Sequence, residues 1–234
     1  MNIALILAGG MGSRMGQDIP KQFIHVDNCP IVVYTLLAMQ RHPEIDRIQA
    51  VCIEGWEKVL SGYAEQFGIT KLTGIAGAGE TRYLSTRQGM ESLGGVADED
   101  VSVVHDSVRP LVTEESLSDV IAVCRKYGNS MSVLDCADSM YDCTGAAHTS
   151  REVERSSLVR GQTPEAVSGK RMREMYAASD ERDIRMDSIS AMQVALGWEV
   201  HFARGSERNI KLTRTEDIEL FKALLKIEKD AWLK

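Results

Sequence analysis

The sequence predicts an α/β fold with a mostly parallel central sheet. Apolar runs without polar alternation, the mark of strands buried on both faces, alternate with segments of helical periodicity. These runs end at glycine clusters, or at an acid followed closely by an arginine, as strands do at the edge where an open α/β sheet binds ligands. With 234 residues, 44% of them hydrophobic and 26% charged, the chain has enough apolar material for one large domain.

Residues 3–8 read as the first buried strand, which stops at Gly9, Gly10 and Gly12. Lacking Cβ atoms, these glycines let backbone N–H groups approach an anion, while Arg14 and Lys21 bring full positive charges to the same place. A polyphosphate is the natural occupant. Two familiar glycine loops do not fit. Gly16 is followed by Gln17, where a Walker loop needs Lys-Ser or Lys-Thr, and a dinucleotide fingerprint needs glycine where Met15 stands. A plain strand-to-helix turn also remains open, but it leaves Arg14 and Lys21 unexplained.

Residues 30–42 read as a helix with Pro30 at its start, 48–53 as the second strand, 56–67 as a helix and 72–75 as a short third strand. A second glycine turn, from Gly77 to Ser85, opens a helix that runs to about residue 93. Free N–H donors beside Gly79, the charge of Arg82 and the hydroxyl of Ser85 suit a nucleotide; a capped helix with a surface arginine is the alternative. Residues 101–106 form a buried strand ending on Asp106, three residues before Arg109. Asp106 either holds Mg²⁺, which favours carboxylates with phosphate oxygens and water, or pairs with Arg109 to close a turn. Arg109 either fixes that turn or reaches substrate.

Residues 113–127 read as an amphipathic helix capped by Thr113, and 131–136 as another strand. Periodicity fails from 137 to 159, and so long a polar excursion inside a compact domain is usually functional. The plain reading of it is a solvent-facing hairpin. Residues 161–164 are extended before Pro164, 168–178 and 188–196 look helical, and 198–204 read as the final strand. Thr213 and Glu216 read as a capping box for the closing helix, which explains neither Asn209 nor Lys211.

Five cysteines, odd in number and without a C-x-x-C pair, argue against a disulfide framework and a structural zinc site; Cys52 and Cys124 read as core. The net charge of -7 and a pI near 5.3 disfavour nucleic acid as a partner. No apolar run approaches the roughly 18–20 residues of a membrane span, and the chain enters a strand at once instead of a targeting segment, so no membrane partner and a cytoplasmic location are expected.

The pattern L-A-G-G-x-G-x-R-M-x(5)-K-Q, borne by residues 7–22, resembles the sugar-nucleotide pyrophosphorylases. V-H-D-S-x-R-P at 104–110, Q-T-P at 162–164 and N-I-K-L-T at 209–213 narrow the resemblance to the cytidylyltransferases that act on methylerythritol phosphate and ribitol phosphate, over almost the whole chain. The resemblance implies a Rossmann-like three-layer α/β/α nucleotidyltransferase in a single domain, 1–234. A protruding β-arm at 137–159 would join two copies as a homodimer and carry Arg155 into the neighbour's site. It implies that CTP and an alcohol phosphate yield a CDP-alcohol and pyrophosphate with Mg²⁺ on Asp106. Arg14, Lys21, Lys211 and Arg155 would be catalytic, and Leu7, Ala8, Gly9, Gly10, Gly12, Gly79, Glu80, Arg82, Ser85 and Asp106 would hold the nucleotide. Asp106, Arg109, Arg155, Thr163 and Lys211 would grip the acceptor. Two positions depart from the family pattern: Ala78 replaces the first glycine of the second turn, and Met186 precedes Asp187 where relatives carry threonine. Residues 7–10, 105–107 and 161–163 lean toward D-ribitol 5-phosphate as acceptor, whereas 154–158 resemble the 2-C-methyl-D-erythritol 4-phosphate enzymes. A nucleotide-binding protein without catalysis is the remaining alternative.

Overall fold

The computed structural model describes residues 1–11, 19–143 and 147–231. From the N-terminus, β1 (Asn2–Ala8) leads past a 3-10 turn (Lys21–Phe23) to a small hairpin, β2 (His25–Val26) and β3 (Cys29–Pro30). Then follow α1 (Ile31–Arg41), β4 (Arg47–Cys52), α2 (Glu57–Gln66), β5 (Leu72–Gly77), α3 (Arg82–Ser92) and β6 (Val101–Asp106). The second half runs α4 (Glu114–Tyr127), β7 (Asn129–Asp135), β8 (Met140–Tyr141), β9 (Glu152–Val153), a 3-10 turn (Arg155–Ser157) and β10 (Val159–Ser168). It closes with α5 (Gly169–Glu181), α6 (Ile189–Ala195), β11 (Phe202–Arg204) and α7 (Thr215–Ala231).

Seven strands form the main sheet in the order β11-β7-β10-β6-β1-β4-β5. All share one direction except β10, which runs antiparallel to both β6 and β7. The mostly parallel α/β expectation holds. Alternate residues of β1 serve two cores: Ala4, Ile6 and Ala8 pack on one face with Leu36, Leu60, Val120 and Ile121 from α1, α2 and α4. Ile3 and Leu5 pack on the other with Tyr83, Met90, Met175 and Met192 from α3, α5 and α6. That makes three layers. α7 seals the end of the domain, where Phe221 and Leu225 meet Ile31, Val108 and Leu212.

The register brings the strand ends level, with Ala8 beside Cys52, Cys52 beside Gly77, and Leu7 beside Asp106. Connections leave β1 toward β4 but return from β5 to β6 on its other side, so β1 and β6 flank the point where strand order reverses. A crevice opens at such a point.

Several boundaries moved for identifiable reasons. The hairpin β2/β3 lies where the sequence reading placed no strand; its Asp27-Asn28 turn has φ of 49° and 63°, the left-handed pair that a two-residue hairpin requires. Only Phe202–Arg204 of the expected final strand joins the sheet, because the Asn129 side chain occupies the approach, donating to Glu199 O and accepting from His201 N. The cap of α7 is Asp217 and not Glu216: its Oδ2 accepts from the N–H of Thr213 and of Arg214 and from the Thr213 hydroxyl. Within 137–159, β8 pairs with β9 as a short antiparallel ladder of mostly exposed residues. Among the described residues no helix is long and apolar enough to cross a membrane.

Helix α3 lies close on the sheet at Gly89, where an added Cβ would sit 2.5 Å from Val51 Cγ2 and 2.8 Å from Leu5 Cδ1. Overpacking of that kind costs about 1–3 kcal/mol, more than the roughly 1 kcal/mol that alanine gains over glycine in a helix. Gly89→Ala is therefore expected to lower the urea midpoint, and an unchanged or higher midpoint would refute this account of the packing.

Candidate active site

The level strand ends open into a cleft of about 770 Å³. Leu7, Gly9 and Gly10 from the end of β1, Lys21 and Gln22 from the 3-10 turn, Gly79 to Arg82 with Ser85 from the second glycine turn, and Asp106 from β6 line it together with Lys211. Residues separated by about 200 positions in the chain thus share one pocket. Glu80 is exposed on its rim.

The two glycine turns touch. A Cβ on Gly9 would lie 2.5 Å from the Cβ of Ala78, so only glycine at position 9 permits this approach now that position 78 carries a methyl. Gly79 is constrained likewise, since its Cβ would meet Leu84 Cβ at 2.5 Å. Ser85 closes the second turn, its Oγ accepting from Gly79 N–H at 3.1 Å, and Thr81 caps α3 by accepting from Leu84 N–H. Gln22 is 1% exposed and staples the first turn, donating to Ala8 O at 2.7 Å and Gly10 O at 3.1 Å. Phe23 stacks on Trp56 with centroids 4.6 Å apart, fixing the short segment that presents Lys21.

Asp106 is the electrostatic centre. Its carboxylate receives Arg82 Nη2 on Oδ1 at 3.0 Å and Lys211 Nζ on Oδ2 at 2.9 Å, with Arg109 Nε 3.6 Å from Oδ2. Burial alone would raise this carboxyl; Arg82 and Lys211 overcome it and hold the group well below the usual carboxylate range. Of the two readings of Asp106, the pairing with Arg109 is present as this 3.6 Å contact. Three cations gather around one acid, and the excess positive charge faces the cleft through Arg82 and Lys211.

Arg109 and Thr163 stand beneath the pocket surface. Arg109 Nη1 donates to Asn209 O at 2.7 Å, and Thr163 Oγ1 accepts from Asp106 N–H at 3.2 Å. Buried Asn209 donates to Thr163 O at 2.7 Å, and Leu212 N–H donates to Val108 O at 2.9 Å. These bonds explain the asparagine of N-I-K-L-T: it moors the segment that delivers Lys211 to Asp106. Ala8 is buried, with its carbonyl oxygen taken by Gln22. Arg155 lies outside this cleft, its Nη1 donating to Ala137 O at 2.6 Å within residues 137–159. Gly12 and Arg14 lie outside the described residues.

Among the described residues no three His, Cys, Asp or Glu side chains cluster to hold a metal ion. Asp106 offers a single carboxylate, a donor set that suits a divalent cation sharing phosphate oxygens and water and does not suit a resident ion.

Sequence reasoning passed over Gln22, which follows Lys21 in the motif, as well as Trp56, Glu165 and His105. His105 is fully buried, its Nε2–H donating to Arg109 O at 3.1 Å, and Nδ1 has no partner among the described residues. Burial pushes its pKa down to about 4, so it is neutral and holds the loop that carries Arg109.

Comparisons with known proteins match nearly the whole chain. The sequence model of the IspD family, described as 2-C-methyl-D-erythritol 4-phosphate cytidylyltransferase, matches residues 2–227. The chain is 39% identical to ribitol-5-phosphate cytidylyltransferase of Lacticaseibacillus paracasei over 230 residues, covering 97% of this chain and 98% of that one. It is 32% identical to 2-C-methyl-D-erythritol 4-phosphate cytidylyltransferase of Syntrophus aciditrophicus over 227 residues, covering 97% and 96%. In three dimensions it resembles the 4-diphosphocytidyl-2C-methyl-D-erythritol synthase of Anaerococcus prevotii, with a TM-score of 0.80, 23% identity and 97% and 98% coverage, a likeness of fold.

Because its folded pKa of about 4 lies below the ordinary 6.5, His105 binds fewer protons than the unfolded chain between those values. Its stabilisation is fully present above pH 6.5 and is lost as pH falls toward 4, on the order of 3 kcal/mol. Urea titrations at pH 7 and 4.5 should show His105→Gln losing less stability on acidification than the parent; parallel losses would exclude His105 as the responsible group.

Proposed function

The chain belongs to the IspD family of cytidylyltransferases, and on that premise we propose that it transfers the cytidylyl group of CTP to D-ribitol 5-phosphate, giving a CDP-alcohol and pyrophosphate. The observation that carries the reading is the convergence of Lys21, Arg82, Lys211 and Asp106 in one cleft between two glycine turns. The 39% identical relative named for ribitol 5-phosphate supports the choice of acceptor. Methylerythritol phosphate is the second reading, supported by the family description and by the resemblance of residues 154–158 to that branch. A binder without catalysis has little use for lysines around a leaving group.

The attacking atom is a phosphate monoester oxygen, and with a second pKa near 6 the monoester is mostly dianionic at neutral pH. It needs no general base. The barrier is electrostatic, since two polyanions must meet in line while charge builds on the α-phosphate and the departing pyrophosphate. Backbone N–H groups at Gly9 and Gly10 cradle the triphosphate, and Lys21, with Arg14 by its place in the motif, neutralises the α-phosphate and leaving group. Arg82 and Lys211 exchange part of their pairing with Asp106 for phosphate oxygens. Asp106 would hold Mg²⁺ brought in with the nucleotide, and the ion would supply further charge neutralisation at the phosphates. Arg109 and Thr163 keep Asp106 and Lys211 in place for the acceptor phosphate.

Two copies would act as a homodimer, the 137–159 segment carrying Arg155 to the partner's acceptor; its exposed Met140 and Tyr141 support that role. Cytoplasmic residence agrees with five cysteines, none of them joined in a disulfide.

Pyrophosphate release should require both CTP and Mg²⁺, stop on chelation, and run faster with D-ribitol 5-phosphate than with 2-C-methyl-D-erythritol 4-phosphate. The reverse preference moves the chain to the second reading, and release with neither acceptor rejects catalysis. Lys21→Ala is expected to slow single-turnover transfer by about a hundredfold, and mixing it with Arg155→Ala should restore activity through dimers that hold one intact site. No recovery from exchanged subunits would place Arg155 outside the partner's site.

A further inference from the structure

Glu165 has no part in the transfer described above, yet it is a carboxylate 5% exposed at the heart of the domain. It lies on β10, opposite Val104 of β6 on one side and Met131 of β7 on the other. Burying such a group is costly and persists where specific contacts offset it. Its Oε2 accepts the N–H of Ser190, the second residue of α6, at 3.1 Å. The preceding turn is fixed further by Ser188, whose Oγ accepts from Ala191 N–H at 3.0 Å. Within that turn the carbonyl of Asp187 accepts from Arg82 Nη1, while Arg82 Nη2 reaches Asp106 at 3.0 Å. The guanidinium is therefore held at two ends, by the acid of β6 and by a backbone oxygen whose own position depends on β10. Burial raises the Glu165 carboxyl, and the charge of Arg82 opposes that shift across the same gap.

We propose that Glu165 is a positioning residue for the nucleotide grip: by tethering residues 187–190 to β10 it places the Asp187 carbonyl that aims Arg82 into the cleft. The link acts through hydrogen-bond reach and not through charge at the phosphates. It rests on the cytidylyltransferase reading for the identity of the ligand.

Two variants separate reach from charge. Glu165→Gln keeps the length and an acceptor oxygen, whereas Glu165→Asp keeps the charge but is one methylene too short for Ser190 N–H. CTP binding would be measured by calorimetry in Mg²⁺ buffer. Glu165→Asp is expected to weaken it about tenfold, the scale of a lost buried hydrogen bond, and Glu165→Gln to stay within about twofold of the parent. In an Arg82→Ala background the aspartate substitution should have no further effect. Should Glu165→Asp not fold, Ser190→Pro reads the same link, since it deletes the N–H in a first helical turn that tolerates proline. Parent-like CTP binding by Glu165→Asp, equal loss in the glutamine variant, or independent losses at positions 165 and 82 would overturn the proposal. A fall in melting temperature without a change in CTP affinity would overturn it too. Absence of pyrophosphate release by a parent protein that binds CTP rejects the catalytic reading and leaves the Glu165 comparison intact; a parent that does not bind CTP overturns both.

Discussion

One buried carboxylate organises the molecule. Asp106 ends β6 where the strand order reverses; Arg109 follows it by three residues, and Arg82 and Lys211 are brought to it from two distant stretches of chain. Burial alone raises this carboxyl; the charges of Arg82 and Lys211 outweigh it, so Asp106 stays ionised and holds its cations within reach of one another. The surplus of positive charge is local. A chain with a net charge of -7 thus gathers Arg82, Arg109 and Lys211 around one acid, while Glu54 and Glu80 also line the cleft.

Backbone packing shapes the same cleft. Gly9 removes the side-chain bulk that would hold the two turns apart, Gly79 lets the second turn close on Leu84, and Gln22 ties the first turn to the segment carrying Lys21. Main-chain donors and a lysine are in this way fixed by a single side chain. Preorganisation of that kind matters for phosphoryl chemistry, in which positioning and fixed charge do most of the catalysis.

The reversed strand β10 gives the fold its functional asymmetry. Running between β6 and β7 against their direction, it sets Thr163 beside the Asp106 amide and buries Glu165 next to the start of α6. The same strand offers Thr163 O to Asn209, through which the segment before α7 is moored and Lys211 delivered. Thr163, Glu165 and, through Asn209, Lys211 consequently hang on one element.

Apolar runs, glycine turns and motif spacing determined most of the architecture and pointed to Lys21, Gly79, Arg82, Asp106 and Lys211, because buried strands and glycine-rich turns leave local patterns in composition. The β2/β3 hairpin was legible in its Asp27-Asn28 pair but hidden beside the stronger glycine signal. Residues 199–201 look like strand, yet only the fold reveals that the Asn129 side chain takes the hydrogen bonds of Glu199 O and His201 N–H. Glu216 and Asp217 are equivalent acids to a reader of sequence, and helix geometry chose Asp217. Tertiary structure alone decided that Arg109 and Thr163 support the pocket from below and that Glu165, Ser190, Asp187 and Arg82 form one chain of contacts. Such links join positions up to about a hundred residues apart, and no periodicity encodes them; they exist because strand order and register bring those side chains to the same edge of the sheet.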